Sequence, residues 1–343
     1  HKVLPQTAKI DQPNPKLDLE NSPFHLNTTT RPWVRSSEHE RRGSVSSFGF
    51  GGSNFHIALS EYTGSGTHAP RLRSSDVEMV VLCGSDAADV IAQATQMSND
   101  LVVGELAFLA QTTQRAYDAS KPARLAVIAT DEDDLRSKLG KAVDTITTGS
   151  GAAFSIPTGV HFGVGDCSGD VAFLFPGQGS QYVGMGADLA MNFAEAMTAW
   201  DLAADQDWDE KTLHDVVFPI TSFEDGAASA NQALLTATHW AQPAIGTMSL
   251  SLLRVLDLIG LTAQHVGGHS FGEITALHAG GVLTDVDMVR VAQRRGVLMA
   301  EAAQTPGSMT AVTGSIESVR AILEQSDADV VIANHNSQRQ VVL

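Results

Sequence analysis

Three rhythms of apolar and polar positions succeed one another along the chain. Residues 1–62 hold no sustained period. Pro5, Pro13, Pro15, Pro23 and Pro32 interrupt them until "FHIALSEY" alternates as a strand does. The "GFGG" before that strand requires a tight loop with backbone angles open to glycine. "TGSGTHAP" (63–70) then marks a boundary. From 76 to 165 short apolar runs alternate with longer amphipathic ones. "EMVVLC" and "ARLAVIAT" read as strands, "DAADVIAQATQM", "ELAFLAQTTQRAY" and "DEDDLRSKLGKAVDTI" as helices, and "TGVHFG" as a further strand closing the sheet. From 170 to 306 the alternation becomes regular. "DVAFLFPG" is predicted to be a buried strand ending in a glycine turn. "NQALLTATHWAQPAIGTMSLSLLRVLDLIG" holds a long apolar helix, "AQHVGGH" a short strand and "GEITALHAGG" a helix. "TDVDMVRVAQRRGVLMAEAAQ" is a helix capped by Thr284. Beyond 307 the order is strand, helix, strand, strand, with "DVVIANHNSQRQVVL" supplying the last pair.

This order predicts an α/β chain. A small α/β domain (63–169) follows the irregular opening (1–62). A parallel sheet flanked by helices occupies 170–306, and 307–343 is most of a ferredoxin-like unit. The 343 residues suffice for two or three domains, and 43% hydrophobic with 18% charged residues is a globular balance. The chain opens "HKVLPQTAKI" and stops at "QRQVVL" inside a predicted strand, so a piece of a larger protein is expected.

Charge and cysteines narrow the function. A net charge of −17 argues against a nucleic-acid binder, which needs a basic face. No stretch of eighteen apolar residues exists, and the nearest carries Arg254 and Asp257, so no membrane span is expected. The two cysteines, Cys83 and Cys167, lie far apart and form no disulfide framework; a reducing cytoplasm is the simplest setting. Cys83 reads as a small buried residue. The acids of "DEDD" (131–134) suit a helix start, where they complement the dipole, better than a metal site.

The sharpest chemical signal is "GGHSFGE" (267–273), a Gly-x-Ser-x-Gly pentapeptide between a predicted strand and a predicted helix. A serine on such a turn has a strained backbone, and the residues two before and two after it approach closely, which requires glycine. Free N–H groups at the following helix start can receive a developing negative charge. The bland alternative for Ser270 is a helix cap beside close-packed glycines. "FPGQGSQYVGMG" (175–186) follows another strand, and its backbone near Gln178 could donate a second N–H. It lacks the Gly-Lys-Ser/Thr of a phosphate loop. Arg295, in "VRVAQRRGVLM", neighbours Val291, Val297 and Leu298 and is expected to face inward, where it needs an anionic partner. A surface or ion-paired arginine is the alternative.

Taken together, "FPGQGSQ", "AQPAIG", "GHSFGE" and "RRG" resemble, in order and spacing, the malonyl-CoA:acyl carrier protein transacylase family over about 170–343. The resemblance implies a hydrolase-like parallel-sheet core with an incomplete ferredoxin-like subdomain. It implies that Ser270 is the acyl-accepting nucleophile and that the N–H groups of Phe271 and Gln178 form the oxyanion hole. Arg295 would grip the malonyl carboxylate, with Gln242 and His269 also at the substrate. The opening, with "NPKLDLENSPFHLNTTTRPW" and "RRGSVSSFGFGGSNFHIALSEY", resembles the C-terminal tail of a β-ketoacyl synthase. A synthase tail, an α/β linker and an acyltransferase form the order of type I polyketide and fatty acid synthases. The wording is most similar to the large subunit of bacterial polyunsaturated fatty acid synthases. The implied partners are malonyl-CoA, the phosphopantetheine of an acyl carrier protein and an adjoining ketosynthase. No cofactor or metal is implied on this segment, and a homodimeric parent is. Phe48 and Phe50 would gate the synthase pocket or pack in its core.

Serine needs a base. The family pairs it with a histidine farther downstream than the 73 residues that follow Ser270 here (270 to 343). His269 is adjacent in a strand and should point to the opposite face. His278 lies eight residues along a helix, about 12 Å away. His335 belongs to the small subdomain. The base is therefore expected beyond residue 343. An α/β serine hydrolase such as a thioesterase shares the pentapeptide but leaves "FPGQGSQ" and Arg295 unexplained. A non-catalytic docking fragment is a third reading.

Overall fold

The proline-rich opening folds by short pairings and side-chain anchors rather than by long elements. Val3–Leu4 (β1) pairs antiparallel with Arg31–Pro32 (β2), and Arg42–Ser47 (β3) pairs antiparallel with Phe55–Ser60 (β4). The structure, a computed structural model, describes residues 1–65, 76–166, 169–208, 211–303, 307–327 and 329–343. The boundary expected at 63–70 and Cys167 fall wholly or partly outside them. The chain divides into two compact units, Thr67–Val171 and Lys2–Gly66 with Ala172–Leu343.

In the first unit four strands form an antiparallel sheet in the order β5–β6–β8–β7. They are Glu78–Gly84 (β5), Ala123–Ala129 (β6), Phe154–Ile156 (β7) and Val160–Val164 (β8). Helices Ala87–Asp100 (α1), Leu106–Arg115 (α2) and Glu132–Thr148 (α3) complete it. Val80, Leu82, Leu125, Val127, Val160 and Phe162 alternate onto one face and bury Val90, Ala94, Leu135, Leu139 and Ile146 of the helices. The free edge of β5 is met by α2, where Thr113 Oγ1 accepts from Val81 N–H at 3.3 Å and Gln114 Nε2 donates to Met79 O at 2.6 Å. Such a cover keeps an edge from pairing elsewhere. The acids of 131–134 serve structure. Asp131 Oδ1 accepts from Asp134 N–H at 2.8 Å. Glu132 Oε1 accepts from the N–H groups of Gly104 and Leu106, both at 2.9 Å, and Asp134 pairs with Lys138 at 2.7 Å. No cluster of three metal-binding side chains occurs among the described residues. Cys83 departs from expectation. It shares a face with Val81 rather than with Val80 and Leu82, so it is only half-buried, and its sulfur accepts from Asp118 N–H at 3.3 Å.

In the second unit Ala172–Phe175 (β9) and His265–Gly268 (β10) run parallel, with Gly268 opposite Phe175. Around them lie helices Ala187–Asn192 (α4), Ala194–Ala204 (α5), Leu213–Val217 (α6), Ala227–Thr236 (α7), Thr238–Leu258 (α8), Gly272–Ala279 (α9) and Asp285–Ala302 (α10). Thr284 caps α10, its Oγ1 accepting from Asp287 N–H at 3.1 Å. Trp200, Met197, Leu213, Leu250 and Met288 form the helical core. The buried strand expected at "DVAFLFPG" is mostly exposed: Leu174 is 81% accessible and only Phe175 is buried. Among the described residues β9 pairs with β10 alone.

The tail belongs to this second unit. Val34 enters the helical core, Arg31 Nη1 donates to Phe218 O at 2.9 Å, and Arg41 Nη2 pairs with Asp201 of α5 at 2.6 Å. The β3–β4 hairpin behaves differently. The alternating "FHIALSEY" supplies its second strand, yet all twelve residues of the hairpin are exposed, as are Phe48 and Phe50 in the loop between. Gly52 in that loop has φ 96°, as the "GFGG" reading requires.

The last segment is an antiparallel three-stranded sheet, β11–β13–β12, of Ala311–Thr313 (β11), Asn334–Ser337 (β12) and Gln340–Val342 (β13). Helix Ile316–Leu323 (α11) follows β11. The strand begins at Asn334 rather than at the apolar "DVVIA", whose Val330 and Val331 are exposed. No helix among the described residues is long and apolar enough to cross a membrane.

Candidate active site

The sharp turn from β10 into α9 is built by what the glycines omit. Ser270 has φ 53°, a left-handed conformation that a non-glycine residue adopts at a cost. A Cβ on Gly268 would overlap the backbone of Gly272, and one on Gly272 would overlap the carbonyl of Phe175. The close approach expected on both sides of Ser270 is therefore present. The chain after β9 closes the site from the opposite side. A Cβ on Gly177 would meet His269 O at 2.7 Å and Ser270 Cβ at 3.4 Å, so the turn of 176–178 lies against the serine.

Two donors flank this point. Phe271 leads into α9 with helical angles, and its fully buried ring anchors the turn among Ile245 and Ala292. The first α9 bonds use the N–H groups of Gly272, Glu273 and Ile274. Among the described residues the N–H groups of Phe271 and Gln178 have no acceptor. The Gln178 side chain turns away, donating to Thr236 O at 3.4 Å at the end of α7 and to Thr238 Oγ1 at 3.3 Å at the start of α8.

Helices α8 and α10 bring the charged member. Gln242 is 1% exposed, and its Oε1 accepts from Arg295 Nη1 at 2.7 Å. Its Nε2 donates to Met299 Sδ at 3.2 Å. Arg295 is half-buried, and its expected anionic partner is absent: no carboxylate lies within ion-pairing distance among the described residues. A neutral amide oxygen holds the guanidinium without cancelling its charge. Val291, Arg294, Leu298, Met299 and Ala302 flank Arg295 on an open face of α10 and are themselves exposed. Met299 escaped the sequence reading, although its position one turn after Arg295 on the same helix marks it.

The histidines are engaged elsewhere. The His269 ring bonds through Nε2 to Asn336 Oδ1 of β12 at 3.0 Å, so it faces the small subdomain. His278 Nδ1 donates to Leu283 O at 3.0 Å, and its Nε2 lies 3.4 Å from Asp285. His335 is a strand residue opposite Val341. Among the described residues no histidine reaches Ser270. Serine–histidine hydrogen bonds do occur elsewhere, Ser46 with His56 at 2.7 Å and Ser155 with His161 at 2.8 Å. Both are cross-strand neighbours. Neither serine leads into a helix, so neither has free N–H groups for an oxyanion.

Comparison with known proteins gives the family. Residues 172–343 match the acyl transferase domain family, and residues 13–127 match the ketoacyl-synthetase C-terminal extension. The chain is 30% identical, over its whole length, to polyketide synthase GfsA of Streptomyces halstedii. It is 29% identical, again throughout, to one of the polypeptides of the polyunsaturated fatty acid synthase of a Thraustochytrium species. It spans 4% of the length of the first and 13% of the second. Among solved structures, the acyltransferase domain of the iterative polyketide synthase in enediyne biosynthesis matches at 26% identity with TM-score 0.53, covering 78% of this chain and 58% of that one. The acyltransferase domain from the second module of the salinomycin synthase matches at 27% and 0.51, covering 81% and 59%. The acyltransferase domain of ZmaA shares the α/β fold at TM-score 0.63 and 20% identity, covering 79% and 59%. A serine on a glycine-built elbow, facing a second glycine turn, thus sits in a sequence whose relatives are polyketide and polyunsaturated fatty acid synthases, and the chain belongs to the acyl transferase domain family.

Proposed function

We propose that residues 170–343 carry the acyl-accepting site of a malonyl transacylase within a multidomain fatty acid or polyketide synthase of the polyunsaturated type. Ser270 Oγ attacks the thioester carbonyl of malonyl-CoA. Its proton passes to a base, the C–S bond breaks, and the CoA thiolate leaves and takes up that proton. The acyl group is then an ester on Ser270. The pantetheine thiol of an acyl carrier protein attacks this ester, and Ser270 recovers its proton as the malonyl thioester departs. In both halves the tetrahedral oxygen receives the N–H groups of Phe271 and Gln178. Such donors act most strongly where they are already fixed before charge develops. Arg295 binds the malonyl carboxylate, with Gln242 and His269 beside it. No cofactor takes part.

The observation that carries this reading is the uncompensated charge of Arg295, held by Gln242 at 2.7 Å on the two helices that pack on the buried Phe271 ring. A thioesterase acting on neutral acyl chains would leave a half-buried cation without a partner. The test is competitive loading from malonyl-CoA and acetyl-CoA in the parent synthase, read as mass on Ser270. Arg295→Ala is expected to lower the malonyl preference about ten- to a hundredfold, the worth of a charge-assisted contact. Arg294→Ala should leave it unchanged, because Gln242 fixes only Arg295 and the Arg294 side chain is exposed. Retention of the parental preference in Arg295→Ala defeats the malonyl assignment.

The base, on this proposal, is a histidine outside these 343 residues. What supports it is that His269 is bonded to Asn336 and His278 to Leu283 and Asp285, and that no described histidine hydrogen-bonds to Ser270. The isolated chain 1–343 should then transfer malonyl far more slowly than about 1 per second, a low ordinary enzyme rate. Faster transfer would place the base within the chain. The opening is proposed to complete an adjoining ketosynthase, with 63–169 a linker without a site of its own. A homodimeric parent in the cytoplasm fits this organisation.

A further inference from the structure

Helix α10 lies unusually close to the first turn of α8, and one missing atom permits it. A Cβ on Gly296 would stand 2.8 Å from His239 Cα and 2.9 Å from Thr238 O. Both are backbone atoms, so no side chain could swing aside to make room. Gly296 follows Arg295 directly. Gln242 stands four residues after Thr238, one turn along the same face of α8. The contact at Gly296 and the 2.7 Å bond between Arg295 and Gln242 therefore share one seam. Ala292, fully buried against Ile245 and Phe271, continues that seam one turn earlier.

We infer that Gly296 is a positioning residue for acyl choice, acting through the Arg295–Gln242 pair and resting on the transacylase reading above. The absent side chain sets the spacing between α8 and α10, and that spacing lets Gln242 fix the guanidinium. A methyl group at 296 must push the helices apart by several tenths of an ångström. A hydrogen bond weakens steeply with such displacement and tilt. Arg295 would keep its charge and lose its fixed orientation, so a bidentate grip on a carboxylate would suffer while neutral acyl groups would not. Ser270 lies on the turn between β10 and α9; Phe271 packs on Ala292 and Gln178 donates to Thr238, so any loss passed on through them falls on all acyl groups alike and cancels in the ratio.

The experiment is competitive loading of the parent synthase with malonyl-CoA and acetyl-CoA, read as mass on Ser270. Gly296→Ala should lower the malonyl-to-acetyl ratio about tenfold, chiefly through KM for malonyl-CoA. It should have no further effect on the ratio when Arg295 is already alanine. A merely structural role predicts equal loss for both acyl groups. A parental ratio in folded Gly296→Ala, while Arg295→Ala shifts it, overturns the inference and leaves the transacylase reading standing. An unchanged ratio in Arg295→Ala overturns the reading on which it rests. Should Gly296→Ala not fold, Ala292→Val, which wedges the same seam against Ile245, must shift the ratio in the same direction; a parental ratio there also overturns it.

Discussion

Ser270→Ala in the parent synthase is expected to abolish malonyl loading, with a fall of at least about a thousandfold. Nucleophilic serines act as a unit with their base, and losing either member typically costs several orders of magnitude. The variant should fold, because alanine differs only by the hydroxyl and no described hydrogen bond depends on Ser270 Oγ. The left-handed backbone at φ 53° is already tolerated by a residue with a Cβ. The measurement is acyl transfer to carrier protein, together with mass on the peptide that contains residue 270. Loading within tenfold of the parent would move the nucleophile elsewhere. Ser46 and Ser155, each already paired with a histidine, are the serines to examine next, although neither has oxyanion donors.

The elbow is legible in the sequence because its constraint is local. Glycines two before and two after a serine between strand and helix leave little freedom, and the structure finds Gly268 and Gly272 in the predicted close approach. Asp131 and Thr284 announce their helices for the same reason: a cap acts within one turn. What escapes is long-range. The apolar neighbours of Arg295 say that it faces inward, but its partner lies 53 positions away on another helix and is a neutral glutamine rather than an acid. The exposure of Leu174 cannot be read from its apolar run, nor that of the β3–β4 hairpin from alternation, because a pattern marks apolar surface without saying what covers it. The helical spacing set by Gly296 is equally silent. A glycine inside a helix pattern signals little until the facing backbone is known.

Replacing Arg41 should loosen the tail from the acyltransferase core, and acid should do the same to the parent chain. Arg41 is 5% exposed and is held on three sides. Its Nη1 donates to Glu61 Oε2 at 2.8 Å, its Nη2 to Asp201 Oδ1 at 2.6 Å, and its Nε to Trp33 O at 2.5 Å. Arg35 and Lys2 also reach Glu61, at 3.0 and 3.4 Å, whereas Asp201 has fewer cationic alternatives. Removing one partner from a buried ion network typically costs about 3–5 kcal/mol, because the remaining charges stay buried. Arg41→Ala should fall near the lower end, since Arg35 and Lys2 still compensate Glu61. Burial alone would raise the Glu61 carboxyl. The hydrogen bond and charge of Arg41, with the charges of Lys2 and Arg35, outweigh it and hold the pKa down to about 2 from an ordinary 4.5. A carboxyl depressed on folding contributes stability that is complete above its unfolded pKa, and that stability is lost as pH falls from about 4.5 toward about 2. Hydrogen exchange of peptides spanning 25–61 in the parent protein should therefore accelerate in Arg41→Ala at neutral pH. The midpoint of urea unfolding for this unit should fall with pH through that window in the parent and fall less in Arg41→Ala. Equal acid sensitivity in the two proteins would mean that Glu61 is not what acid releases, and unchanged exchange across 25–61 would mean that the tail is held by Arg31 and Val34 rather than by the ion network.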